Sequence, residues 1–244
     1  SLGTDLHMWD VQMPTLTRDF QVLRYDTRGH GQSLVTEGPY SIEQLGRDVL
    51  ALLDALDIAK AHFCGLSMGG LIGQWLALNA PERIARLVLC NTAAKIGTPE
   101  VWNPRIETVL RDGAAAMVAL RDASIARWFT ADFRASQPAA VAAVAQVIGS
   151  THVEGWTGCC AAIASVHTTD DLHRIDCPAL VMVGEHDIGT PLAASLEMHR
   201  RLPKSTLAVI ADAAHMTCIE QPERFNRVLR VFLDSTVGAS SEAL

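Results

Sequence analysis

Lysine is nearly absent. The 244 residues carry three Lys beside seventeen Arg, and no basic run exceeds two residues, Arg200 and Arg201. Twenty basic groups against 27 acidic ones give a formal charge of −7, which argues against a phosphate-tracking patch and so against nucleic-acid binding. Long apolar runs are missing too. Stretches such as Ala114–Leu120 fall far short of the roughly 20 residues that cross a membrane, and no charged-then-apolar signal pattern opens the sequence. The six cysteines form no CxxC pair and no ligand spacing with histidine. Adjacent Cys159 and Cys160 suit neither a zinc site nor an ordinary disulfide. Reduced, mostly buried thiols in a cytoplasmic protein are the expectation, with no metal and no organic cofactor. A homo-oligomer is left open.

What is present is enough apolar residue for a core: 49% hydrophobic against 19% charged. Short apolar runs read as strands at Phe20–Tyr25, Ala61–Leu66, Arg86–Asn91, Ala179–Gly184 and Thr206–Ile210, apolar nearly throughout, as in strands covered on both faces. Helical periodicity falls between them at Ser41–Leu56, Met68–Asn79, Leu192–Leu202 and Pro222–Leu233, with Ser41 placed as an N-cap. This alternation predicts a mostly parallel, doubly wound α/β sheet. From about 97 to 170 the rhythm breaks into helices alone. We read 1–96 and 171–244 as the core, 97–170 as a helical cap over the end of the sheet, and the polar tail Ser235–Leu244 as frayed.

Gly65-Leu66-Ser67-Met68-Gly69 matches G-x-S-x-G where a strand gives way to a helix. There the glycines permit a sharp turn that exposes Ser67 Oγ, and the helix start sets the Met68 N–H beside developing negative charge. A hydroxyl nucleophile needs a base. His215 is the histidine in the loop after the last strand, and the loop after the strand before it offers Asp187 or Glu185 to orient the imidazole, Asp187 being the better placed. Asp26-Thr27-Arg28-Gly29-His30-Gly31-Gln32-Ser33 reads as a turn whose charged groups brace neighbouring loops.

With DTRGHGQS at 26–33, GLSMGG at 65–70, GEHD at 184–187 and AAH at 213–215, the chain resembles an α/β-hydrolase. Through Leu89–Gly97, Arg127-Trp128-Phe129 and Gly158-Cys159-Cys160 it is similar, more narrowly, to the 3-oxoadipate enol-lactonases of aromatic-acid catabolism. The resemblance implies hydrolysis of an ester or lactone through an acyl-enzyme on Ser67, with His215 and Asp187 completing a triad and the Leu2 N–H joining Met68 in the oxyanion hole. It also implies a small substrate carrying a carboxylate, for which a chain of charge −7 needs a local cation: Arg127 beside Trp128 comes first, with Arg121 and Arg105 behind. A broad-range carboxylesterase and a non-catalytic ligand-binding protein on this fold are the alternatives. The resemblance further places a strand between Phe20–Tyr25 and Ala61–Leu66 that this sequence does not contain. Direct pairing of those two segments, filling by a second copy, or supply by residues outside this sequence would each complete the sheet, and the last is the expectation for a working enzyme.

Overall fold

The computed structural model describes residues 1–235; the predicted tail lies, from position 236, outside the described residues. Four parallel strands form one sheet in sequence order: β1 (Ala61–Leu66), β2 (Ile84–Cys90), β3 (Ala179–Gly184) and β4 (Ser205–Ile210). Because strand side chains alternate between faces, the sheet supplies two cores. Leu87, Leu89 and Val181 join the side packed by α1 (Ile42–Ala55) and α2 (Met68–Asn79). Val88, Cys90, Leu180 and Met182 face the other, where Met8, Phe225 and Leu229 close over them. β3 is buried along its whole length, as the parallel arrangement requires.

Helix ends follow local chemistry. Ser41 Oγ accepts the Gln44 amide at 3.0 Å and so caps α1. Five helices fill the chain between β2 and β3: α3 (Pro99–Asp112), α4 (Ala114–Trp128), α5 (Ala131–Ser136), α6 (Pro138–Ser150) and α7 (Val153–Ser165). Pro99 and Pro138 open α3 and α6, where the missing N–H costs nothing. After β3 comes α8 (Leu192–Arg201), and after β4 the short turn Thr217–Glu220 and α9 (Pro222–Asp234). No helix among the described residues is long and apolar enough to cross a membrane, and the six cysteines are free.

One predicted strand does not form. Phe20–Tyr25 has no ladder partner among the described residues, and β1 is the edge of the sheet. A cavity of about 690 Å³ is lined by Phe20–Tyr25, by Ala61–Cys64 of β1 and by Leu52, Leu56, Leu229 and Leu233. No ladder joins Phe20–Tyr25 to β1, so the two segments do not pair directly.

Candidate active site

Ser67 stands at the turn between β1 and α2 with φ 56° and ψ −114°, a conformation that costs a non-glycine residue on the order of 1–3 kcal/mol. Its neighbours hold it there. The Ser67 amide donates to the Cys90 carbonyl at 2.9 Å, and Thr92 Oγ1 donates to the Ser67 carbonyl at 2.7 Å. A Cβ on Gly65 would stand 2.1 Å from the Gly69 carbonyl oxygen, and one on Gly70 would stand 2.5 Å from Thr92 Cγ2. A Cβ on Gly69 would meet nothing within 4 Å. Steric need therefore falls on Gly65 and Gly70, whereas the pentapeptide pattern assigned it to Gly65 and Gly69.

The loop after β4 carries His215, and the loop after β3 carries Asp187. Nδ1 of His215 lies 2.8 Å from Asp187 Oδ2, so the carboxylate accepts the Nδ1 proton and leaves Nε2 as the basic atom. Asp187 also accepts from the Gly189 amide at 2.8 Å, from the Thr190 amide at 3.1 Å and from the Thr190 hydroxyl at 2.8 Å. Burial opposes its charge, yet the charge and hydrogen bond of His215, with the donors of Asn91 and Thr190, hold the carboxyl well below the usual range. Glu185, the other acid weighed for this role, is exposed and accepts the Asp212 amide at 3.3 Å instead.

Two residues that the sequence reading passed over join this constellation. Asn91, fully buried just past β2 with φ 43°, donates from Nδ2 to Asp187 Oδ2 and to the Ala214 carbonyl, and accepts the Thr217 hydroxyl at 2.7 Å. Glu220 accepts the Ala214 amide at 2.5 Å and, from the N-cap of α5, the Thr130 amide at 2.7 Å and hydroxyl at 2.9 Å. The available signal for Asn91 was its place beside the acid's strand in a parallel sheet; for Glu220 there was none.

Ser67, Asp187, His215, Leu2, Arg127 and Trp128 all line one cavity of about 320 Å³, with Trp102, Trp156 and Arg105. Trp128 lies with its ring 5.8 Å from the His215 ring, and its carbonyl accepts the amides of His215 and Met216, each at 3.1 Å. Met68 follows Ser67 at the start of α2, buried. The Leu2 loop is pinned by its neighbour: the Gly3 amide donates to His30 Nε2 at 2.8 Å, while His30 Nδ1 donates to the Arg28 carbonyl at 3.2 Å. Burial brings His30 down to about 4, which keeps Nε2 free to accept. In the same turn Arg28 pairs with Asp48, and Asp26 accepts the Leu6 amide at 2.7 Å and the Gln32 amide at 2.9 Å, the bracing role predicted for it. Arg121 is not at the cavity; its Nε donates to Asp122 at 2.8 Å. Among the described residues, Glu185, His186 and Asp212 bring potential metal-ligating atoms within 4.8 Å of one another, but all three are exposed and none lines the cavity.

Residues 1–222 match the alpha/beta hydrolase fold family. The chain belongs to that family. This α/β-hydrolase is 40% identical over 233 residues to 3-oxoadipate enol-lactonase 2 of Acinetobacter baylyi, a match covering 96% of this chain and 86% of the relative. Among solved structures it is similar to the enol-lactonase of Burkholderia xenovorans LB400, at 45% identity and a TM-score of 0.93 over 96% of this chain and 89% of that one. It is also similar to a thermophilic esterase of Thermogutta terrifontis with malate bound, at 32% identity and a TM-score of 0.90 over 96% and 86%. The resemblance read from the motifs is thereby shown, and the chain is an ester- or lactone-cleaving hydrolase.

Proposed function

We propose that this α/β-hydrolase opens a small carboxylate-bearing lactone or ester, 3-oxoadipate enol-lactone foremost, through an acyl-enzyme on Ser67. The observation that carries the reading is the convergence on one cavity of a strained Ser67 and a buried His215 whose Nδ1 is held 2.8 Å from Asp187. His215 Nε2 takes the Ser67 proton as Oγ attacks the carbonyl carbon. The amides of Met68 and Leu2 bind the oxyanion, and His215 returns the proton to the leaving oxygen. Water then adds with His215 as base, releasing the acid and restoring Ser67. Asp187 keeps the imidazole in the required tautomer and stabilises its charged form.

Helices α3 to α7 act as a cap whose Trp102, Trp128 and Trp156 shield the cavity, and Arg127 meets the substrate carboxylate. The names of two relatives support the lactone, and a third relative, an esterase, was solved with malate, a dicarboxylate, bound. The test is direct. Ser67→Ala should lose roughly 10⁴–10⁶ in kcat while remaining folded, because the triad acts as a unit, and a serine-directed phosphonate should label Ser67 alone. Labelling elsewhere, or undiminished turnover by the alanine variant, would remove Ser67 from the role.

A further inference from the structure

Two guanidiniums reach the catalytic cavity from different helices, Arg105 from α3 and Arg127 from α4. Among the described residues neither has a hydrogen bond or an ion pair with protein, whereas Arg111 and Arg121 on the same two helices are each tied to the acid that follows them, Asp112 and Asp122. The acid lining the cavity is Asp187, already committed to His215, Asn91 and Thr190. Among the described residues, no acid pairs with either cation of this wall. Arg105 is half-buried and its guanidinium lies 5.2 Å over the Trp102 ring. That stacking holds the plane and leaves the N–H edge available for a planar anion. Partial burial and the nearby charge of Arg105 both lower the Arg127 guanidinium, as expected of two like charges held at one cavity.

We propose that Arg105 and Arg127 together form a carboxylate clamp, and that the cavity is a dicarboxylate site running from this clamp to the oxyanion donors beside Ser67. The inference rests on the hydrolase reading for its second anchor and adds Arg105 as a specificity-determining residue. Opening a lactone that already bears a carboxylate adds one water across the C–O bond and leaves a second carboxylate at Ser67. The clamp then holds the first carboxylate through both steps, and the product is itself a fitted ligand. Size agrees. A cavity of about 150 Å³ takes benzene, so 320 Å³ takes on the order of a dozen non-hydrogen atoms, and adipate has ten.

The test is calorimetric titration of Ser67→Ala protein with adipate, alongside inhibition of wild-type p-nitrophenyl acetate hydrolysis by the same compound. Adipate should bind and inhibit competitively, at least tenfold more tightly than hexanoate and more tightly than succinate or suberate. Its affinity should weaken as salt rises. Arg105→Gln and Arg127→Gln should each weaken adipate by tenfold or more. Arg105→Lys, which keeps the charge but loses the fork, should fall between Arg105→Gln and the parent, and Arg121→Gln should change nothing. Equal affinity for adipate and hexanoate, or unchanged adipate binding in both glutamine variants, would overturn the clamp. The two readings fail separately. Turnover of p-nitrophenyl acetate without adipate binding removes the clamp and leaves the hydrolase; adipate binding without turnover or phosphonate labelling does the reverse.

Discussion

Asn91 Nδ2 lies 2.9 Å from Asp187 Oδ2 and 3.0 Å from the Ala214 carbonyl, so one buried amide ties Asp187 to the residue before His215, its hydrogen-bond partner. Asn91→Ala removes both donors, strands the Thr217 hydroxyl and puts a residue with no polar side chain at φ 43°. A hydrogen bond to a charged group contributes about 1.5–3 kcal/mol. The expected result is a 10- to 100-fold fall in kcat with a smaller change in KM, because Asn91 does not line the cavity. Asn91→Asp puts a second carboxylate against Asp187, and two such groups resist joint ionisation. Its stability should therefore fall more steeply than the parent's as pH rises above about 4, a difference in slope that urea melts at several pH values would detect.

His30 gives a pH dependence of opposite sign. Its buried neutral ring accepts the Gly3 amide, and burial lowers it to about 4 from an ordinary 6.5. Between those values the unfolded chain takes up a proton that the folded chain refuses. The contribution is fully present above about pH 6.5 and is lost as pH falls toward 4, on the order of 3 kcal/mol over the interval. In His30→Gln the melting temperature should change less between pH 7 and pH 4.5 than it does in the parent. Identical slopes in the two proteins would mean that the ring is not held neutral by the fold.

That Ser67, Asp187 and His215 meet at one cavity was legible because each follows a strand end, and β1, β3 and β4 stand out as short apolar runs within one residue of where they form. Asn91 was not, because its role depends on β2 and β3 being neighbours, a long-range pairing that no local pattern carries. Phe20–Tyr25 misled for a related reason. An apolar extended run becomes a strand only if a neighbour arrives at ladder distance, and here the nearest sheet edge lies across a cavity. Arg105 was ranked behind Arg127, and Arg121 beside it, since a guanidinium's reach depends on which face of its helix meets the cavity.

The elbow glycines can be ranked by substitution. Gly65→Ala drives a Cβ against the Gly69 carbonyl at 2.1 Å, inside any real contact, so the turn must move and Ser67 with it. Gly69→Ala meets open space in the first turn of α2, and replacing a helical glycine with alanine favours the fold by about 0.4–1 kcal/mol. Melting temperature and phosphonate labelling rate, measured on both variants, should separate them. Gly65→Ala should lose both, and Gly69→Ala should keep or gain stability. Equal damage from the two would show that the pentapeptide, rather than its contacts, sets the need.

Glu220 joins the histidine loop to the start of α5. Its Oε2 accepts the Ala214 amide, one residue before His215, while its Oε1 accepts the amide and hydroxyl of Thr130. Burial pushes this carboxyl above its ordinary value, against the pull of those three donors. A glutamine in its place has one acceptor oxygen, so either the Ala214 amide or the Thr130 amide must face the new NH₂. A buried donor left unpaired costs about 1–3 kcal/mol, and here the loss falls on the loop that aims the imidazole. Glu220→Gln should lower the melting temperature and reduce kcat on p-nitrophenyl acetate. Glu223→Gln, an exposed change on the first turn of α9, should stay within about 0.5 kcal/mol of the parent. The exchange also removes a carboxylate whose raised value makes its ionised form costly, a cost that is absent at low pH and grows as pH rises. The penalty of Glu220→Gln should therefore be larger near pH 5 than near pH 8, where the parent bears the burial of its own charge. A penalty that grows with pH would show that the ionised carboxylate, and not its geometry as an acceptor, is what secures the loop.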